Sequence, residues 1–170
     1  MECKDKALEY FSKRYHCSQA VLAAYAPMCG ISESDALKLG ACFGSGMRKG
    51  EVCGAATGAL MVLGLLFGKT EPLDRELANK VNDEFLNRFS KRNRSYLCNT
   101  LLGCDIKTIE GINYAKSKNL FTEFCPKMVY SACEIIDELI KEMKWFYIST
   151  ICLIVYPTKI VRKYIDNILK

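Results

Sequence analysis

Residues 52–68 read Val-Cys-Gly-Ala-Ala-Thr-Gly-Ala-Leu-Met-Val-Leu-Gly-Leu-Leu-Phe-Gly, seventeen residues without a charge. A membrane span takes about 20 predominantly apolar residues, and about 17 is its lower edge. Glycine and paired small residues crowd the front of this segment, and a single membrane helix would leave the flanking cysteine loops without a purpose. The reading that fits is a helix buried all round at the centre of a bundle. Gly54 and Gly58 stand one turn apart in it, so another backbone can approach closely, as small residues allow in tight helix pairs.

Upstream, residues 3–15 place Ala7, Leu8, Tyr10, Phe11 and Tyr15 on an apolar face between Lys and Glu positions, the period of an amphipathic helix. A second helix over 18–28 ends at Pro27 and Gly30, and a third over 33–42 opens with Ser32 and Asp35 as a capping box. A flexible loop with three glycines, Gly44-Ser45-Gly46-Met47-Arg48-Lys49-Gly50, leads into the central segment. Downstream, Thr70 with Pro72 near the first turn predicts a long helix to about 94, with Leu73, Leu77, Val81, Phe85 and Phe89 every fourth residue. Residues 95–120 are less regular, with a short turn at Cys98–Leu102. Cys125-Pro126 opens the last body helix, to about Met143, burying Met128, Val129, Ala132, Ile135, Ile136 and Leu139. No strand alternation or internal repeat interrupts this pattern. The expected fold is all-α: one bundle of about six helices around the glycine-rich central helix, over residues 1–142, plus a C-terminal apolar and basic tail over 143–170.

In that tail, Trp145 to Tyr156 is an apolar run bounded by Lys144 and Lys159 and broken at Pro157. Twelve residues of helix cover roughly 18 Å, short of the ~30 Å hydrocarbon core. The run is expected to pack on the body or across a homodimer, which would cover an otherwise exposed apolar patch. The sharper alternative is a contact with a membrane surface, supported by Lys159, Arg162 and Lys163.

The ten cysteines are about 6% of 170 residues, below the ~8–10% of a small secreted disulfide scaffold. The charged start, Met1 to Lys6, lacks the apolar core of a signal peptide, so a cytoplasmic address is expected. Thiols stay free there, and a high cysteine count points to metal binding, redox chemistry or small apolar packing. His16 is the one histidine, which nearly closes the imidazole routes to ligation and acid–base catalysis. The net charge of +5 owes much to the tail, and the body carries no basic stripe interleaved with aromatics, which argues against nucleic acid as a partner.

A thiolate is favoured at the positive end of a helix macrodipole, beside free backbone N–H groups. That criterion selects Cys17 before the second helix, Cys53 in the first turn of the central helix, Cys98 at the short turn and Cys125 before Pro126. If those helix starts converge, they form an anion site suited to a cluster with thiolate ligands. The alternative for each is a buried small apolar residue. The glycine-rich basic loop leading to Cys53 weighs against it. Cys133 reads as core, Cys104 as a fifth or exchangeable thiol, Cys29 and Cys42 as core or an auxiliary pair, and Cys3 and Cys152 as incidental. None has the Cys-x-x-Cys spacing of zinc ribbons or thioredoxin-like motifs.

The string Cys53-Gly54-Ala55-Ala56-Thr57-Gly58, with Cys17-Ser18-Gln19-Ala20-Val21 and Gly44-x-Gly46-Met47 before it and Cys98 and Cys125 after it, resembles the C_GCAxxG_C_C family of redox proteins over about residues 8–142. The resemblance implies a small helical redox protein and implicates Cys17, Cys53, Cys98 and Cys125. A related helical module fused to a cytochrome holds an iron–sulfur cluster.

Three readings follow. In the first, those four cysteines ligate a [2Fe–2S] or similar cluster for electron transfer to a redox partner protein, Gly54 and Gly58 allow close packing around it, and Arg48 and Lys49 offset its charge. In the second, no metal is bound and Cys53 is the reactive thiolate of a thiol–disulfide enzyme or sensor, resolved by Cys17 or Cys98. In the third, the thiols hold structural zinc in an interaction module.

Overall fold

The computed structural model describes residues 2–71, 73 and 75–155, and they form an all-α protein. Eight α-helices are found among these residues: α1 (Cys3–Ser12), α2 (Cys17–Tyr25), α3 (Glu33–Gly40), α4 (Gly54–Phe67), α5 (Glu76–Asn93), α6 (Cys98–Leu102), α7 (Ile109–Ser117) and α8 (Cys125–Val155). Two π-type turns, Gly46–Gly50 and Leu120–Phe124, precede α4 and α8. The chain divides into two units, residues 1–136 and 137–170, and all that follows on packing concerns the first.

The most enclosed helix is α2, which packs against α1, α3 and α4 and buries Ser18 and every residue from Ala20 to Tyr25. This differs from the expectation of a fully buried α4. That helix buries its front end and one side through Gly54, Ala55, Ala56, Gly58, Ala59, Val62 and Leu63, while Leu65 is exposed. Lack of charge reports only that no face must be solvated; it does not require that every face be covered. The small residues at the front of α4 are what its burial needs. A Cβ on Gly58 would stand 2.7 Å from the Ser18 carbonyl oxygen, so α2 and α4 meet backbone to backbone.

The third helix opens as its sequence predicts, the Ser32 hydroxyl accepting from the Asp35 N–H at 3.0 Å. Polar groups inside the unit are paired: the Ser18 hydroxyl donates to the Gly40 carbonyl at 2.7 Å and the Tyr25 hydroxyl to the Cys133 carbonyl at 3.0 Å. Helix α5 begins at Glu76 and not at Thr70. Leu73 therefore lies outside it, 94% exposed, whereas Val81, Phe85 and Phe89 of the predicted stripe are buried. Pro72 is outside the described residues.

Helix α7 falls where irregular chain was expected. Thr108 caps it by accepting from the Gly111 N–H at 3.0 Å, and Gly111 and Ala115 are its buried positions. Helix α8 starts at Cys125 as predicted but continues past Met143 to Val155, a stretch with no glycine or proline to stop it. Residues 156–170, with Pro157, Lys159, Arg162 and Lys163, lie outside the described residues. Among the described residues no helix is long and apolar enough to cross a membrane.

Candidate functional site

Each of the four selected cysteines stands at a helix start. Cys17 is the first residue of α2, Cys53 the N-cap of α4, Cys98 the first residue of α6 and Cys125 the first of α8. All four line one cavity of about 540 Å³. Leu8, Phe11, Phe121 and Met128 supply apolar wall, and Arg14, Tyr15 and His16 form an exposed rim.

Local structure fixes these positions. Val52 and Leu97 form an isolated antiparallel bridge. The Cys53 N–H donates to the Tyr96 carbonyl at 2.8 Å and the Cys98 N–H to the Glu51 carbonyl at 2.6 Å. The two backbones that deliver Cys53 and Cys98 are thus clasped directly before their helices begin. The His16 N–H donates to the Gln19 side-chain oxygen at 2.9 Å, which fixes the start of α2 at Cys17. The loop before α4 turns through a run of left-handed residues, Ser45, Gly46, Met47 and Arg48, with φ between +54° and +58°. A Cβ on Gly46 would crowd the Glu51 backbone and stand 3.0 Å from the Cys98 Cβ, so the turn is wedged against the site.

The thiols differ in protonation. The Cys17 thiol is lowered to about 7, first because it accepts from the Cys53 thiol, then because the backbone N–H groups of Ser45, Ser18 and Cys17 itself point at its sulfur. Cys53 is held well above its ordinary value as the donor to Cys17 and by burial. Burial, and then the neighbouring Cys17 charge, push Cys98 and Cys125 up to about 12. The backbone N–H groups of Ser45, Ser18 and Cys17 favour charge on the Cys17 sulfur, and the Ala55 N–H favours it on Cys53. Proximity of a helix start was legible in sequence; which sulfur would receive the N–H groups was not.

The other cysteines separate. Cys133 is fully buried in the core, as expected. Cys104 packs against the small cluster of Cys98, Leu102 and Ile106, on which Cys125 also packs. Burial raises Cys29 to about 11. Arg48 and Lys49 are exposed and do not line the cavity; the cation at its edge is Arg14, which sequence reasoning passed over. Gly54 and Gly58 stand where neighbours approach closely: a side chain on Gly54 would strike the Cys17 sulfur and stand 2.8 Å from the Phe43 carbonyl oxygen. Among the described residues no three His, Cys, Asp or Glu side chains are grouped so as to hold a metal ion.

The family model for C_GCAxxG_C_C, described as "Putative redox-active protein", matches residues 15–139. The chain belongs to this family. No curated protein and no solved structure matches it. As a C_GCAxxG_C_C protein it has a redox role in general terms, and the match takes in Cys17, Cys53, Cys98 and Cys125.

Proposed function

We propose that the four-cysteine cavity of this C_GCAxxG_C_C protein holds an iron–sulfur cluster, [2Fe–2S] or of similar size, and that the protein carries electrons to a redox partner protein. The observation that supports this reading is that four thiols from four separate helix starts line a single cavity. Thiolates are the donors such clusters take. Cys17 and Cys53 are in hydrogen-bond contact, and Cys98 and Cys125 line the same cavity.

When bound, a cluster of this kind takes up and gives back electrons at a potential set by hydrogen bonds to its sulfurs and by solvent exposure. The chain supplies the surroundings. Cys17 is already the best thiolate of the set, and Cys53, Cys98 and Cys125 must each give up a proton on loading, which makes loading pH-dependent. The Ser45 N–H points at the Cys17 sulfur, and Gly54 leaves that sulfur room. Leu8, Phe11 and Phe121 keep water from the inner wall.

Anaerobic reconstitution with iron and sulfide tests this reading. Serine at Cys17, Cys53, Cys98 or Cys125 should abolish or strongly reduce bound iron, and serine at half-buried Cys29 should leave it unchanged. Equal iron in all five variants would refute it.

One observation favours a second reading. The Cys53 thiol donating to Cys17 is the arrangement of an attacking thiolate with its resolving partner, so Cys17 would attack a disulfide substrate and Cys53 would release it. A metal-free protein in which Cys17 is alkylated fastest near neutral pH supports that chemistry.

A further inference from the structure

We propose that Cys98 and Cys104 form a second dithiol couple, which a small-molecule disulfide oxidises to an intramolecular disulfide. The way α6 ends brings the two together. Gly103 takes a left-handed φ of +65°, and its N–H and that of Cys104 both return to the Asn99 carbonyl, the latter at 3.3 Å. In a helix end of this type the residue after the left-handed glycine packs back on the third or fourth residue before the helix cap. In α6 this carries Cys104 back toward Asn99 and Cys98.

The packing agrees: Cys104 lies against the buried cluster of Cys98, Leu102 and Ile106. The two thiols differ in access. Cys98 is 7% exposed and lines the cavity, while Cys104 is half-buried and does not line it. The couple therefore links the cavity to the surface.

This difference orders the chemistry. The Cys104 thiolate attacks one sulfur of an external disulfide, RSSR; a Cys104–S–S–R bond forms and RS⁻ leaves, taking up the proton Cys104 gave to solvent. The Cys98 sulfur, losing its proton, attacks the Cys104 sulfur; the Cys98–Cys104 bond forms and the second RS⁻ leaves to become RSH. The chain loses two electrons and two protons, and RSSR is reduced to two RSH. Closure also withdraws Cys98 from the cavity thiols and would block cluster loading, a consequence that rests on the cluster reading as the disulfide itself does not.

Cleavage after Arg94 and Lys107 releases Ser95–Lys107, which carries both cysteines in one peptide. The full chain, cluster-free and reduced, is treated with oxidised glutathione, its remaining thiols are alkylated and it is digested without reductant. The expected major form of Ser95–Lys107 is two hydrogens lighter and unlabelled. In Cys104→Ser the same treatment should leave Cys98 open to alkylation after unfolding. A doubly alkylated peptide, Cys104 held as the glutathione mixed disulfide, or Cys98 cross-linked to Cys17, Cys53 or Cys125 overturns the proposal. A disulfide found in protein that takes up no iron sustains this couple while the cluster reading fails.

Discussion

Val52 and Leu97 are bridged in antiparallel fashion, and the residue after each, Cys53 and Cys98, opens a helix onto the same cavity. The bridge joins segments far apart in sequence with two short backbone bonds, so the spacing of these two thiols is set by main chain. Asn99 extends the clasp. Its side-chain Nδ2 donates to Asp105 Oδ1 at 2.7 Å, its side-chain Oδ1 accepts from the Ile106 N–H at 3.0 Å, and Gly50 lies directly against it.

Asn99→Ala removes the partner of the Ile106 N–H, on a buried residue. Leaving such a donor unpaired costs about 1–3 kcal/mol. Urea unfolding should show an unfolding free energy lowered by that amount.

Gly54→Ala and Gly58→Ala both insert a methyl into filled space, one against the Cys17 sulfur and one against the Ser18 carbonyl. Overpacking of this kind costs about 1–3 kcal/mol. Both variants should unfold at lower urea concentration, and Gly54→Ala alone should also change the alkylation rate of Cys17.

In metal-free protein, Cys17 alkylation should show a midpoint near pH 7. Cys53→Ala removes the hydrogen bond that contributes most to that low value and should move the midpoint up. Cys53→Ser, which keeps an O–H donor, should move it less. No shift in either variant would assign the low value to the backbone N–H groups alone.

Stability of the reduced, metal-free chain should depend on pH in two opposed ways. The unfolded thiols titrate near their ordinary 9.0, and Cys17 in the fold near about 7, so its contribution is complete above pH 9 and is lost as pH falls through 7. Cys29, Cys98 and Cys125 are raised to about 11, 12 and 12, so their contribution is complete below pH 9 and is lost as pH climbs through those values. Cys53, also raised, acts in the same direction as these three. Unfolding free energy measured against pH should rise between pH 7 and 9 and fall steeply above.

The sequence disclosed the helices wherever caps and periodicity were local. Ser32, Cys125-Pro126 and the Val81, Phe85, Phe89 stripe all behave as read. It concealed α7 because Gly111 sits inside that helix, a residue that ordinarily weakens one. Here the Asp105 carbonyl occupies the place a side chain would need. That Cys17, Cys53, Cys98 and Cys125 open helices was legible from the local sequence, and the structure brings all four to one cavity. Which N–H groups reach the Cys17 sulfur was not legible: the Ser45 N–H is delivered by a left-handed turn that no periodicity records.

The central claim is tested most directly by the visible spectrum of the protein purified without oxygen, with iron and acid-labile sulfide measured on the same sample. The account predicts a brown protein with iron and sulfide in comparable amounts and charge-transfer bands that bleach on reduction. A colourless protein with neither, before and after reconstitution, would contradict it.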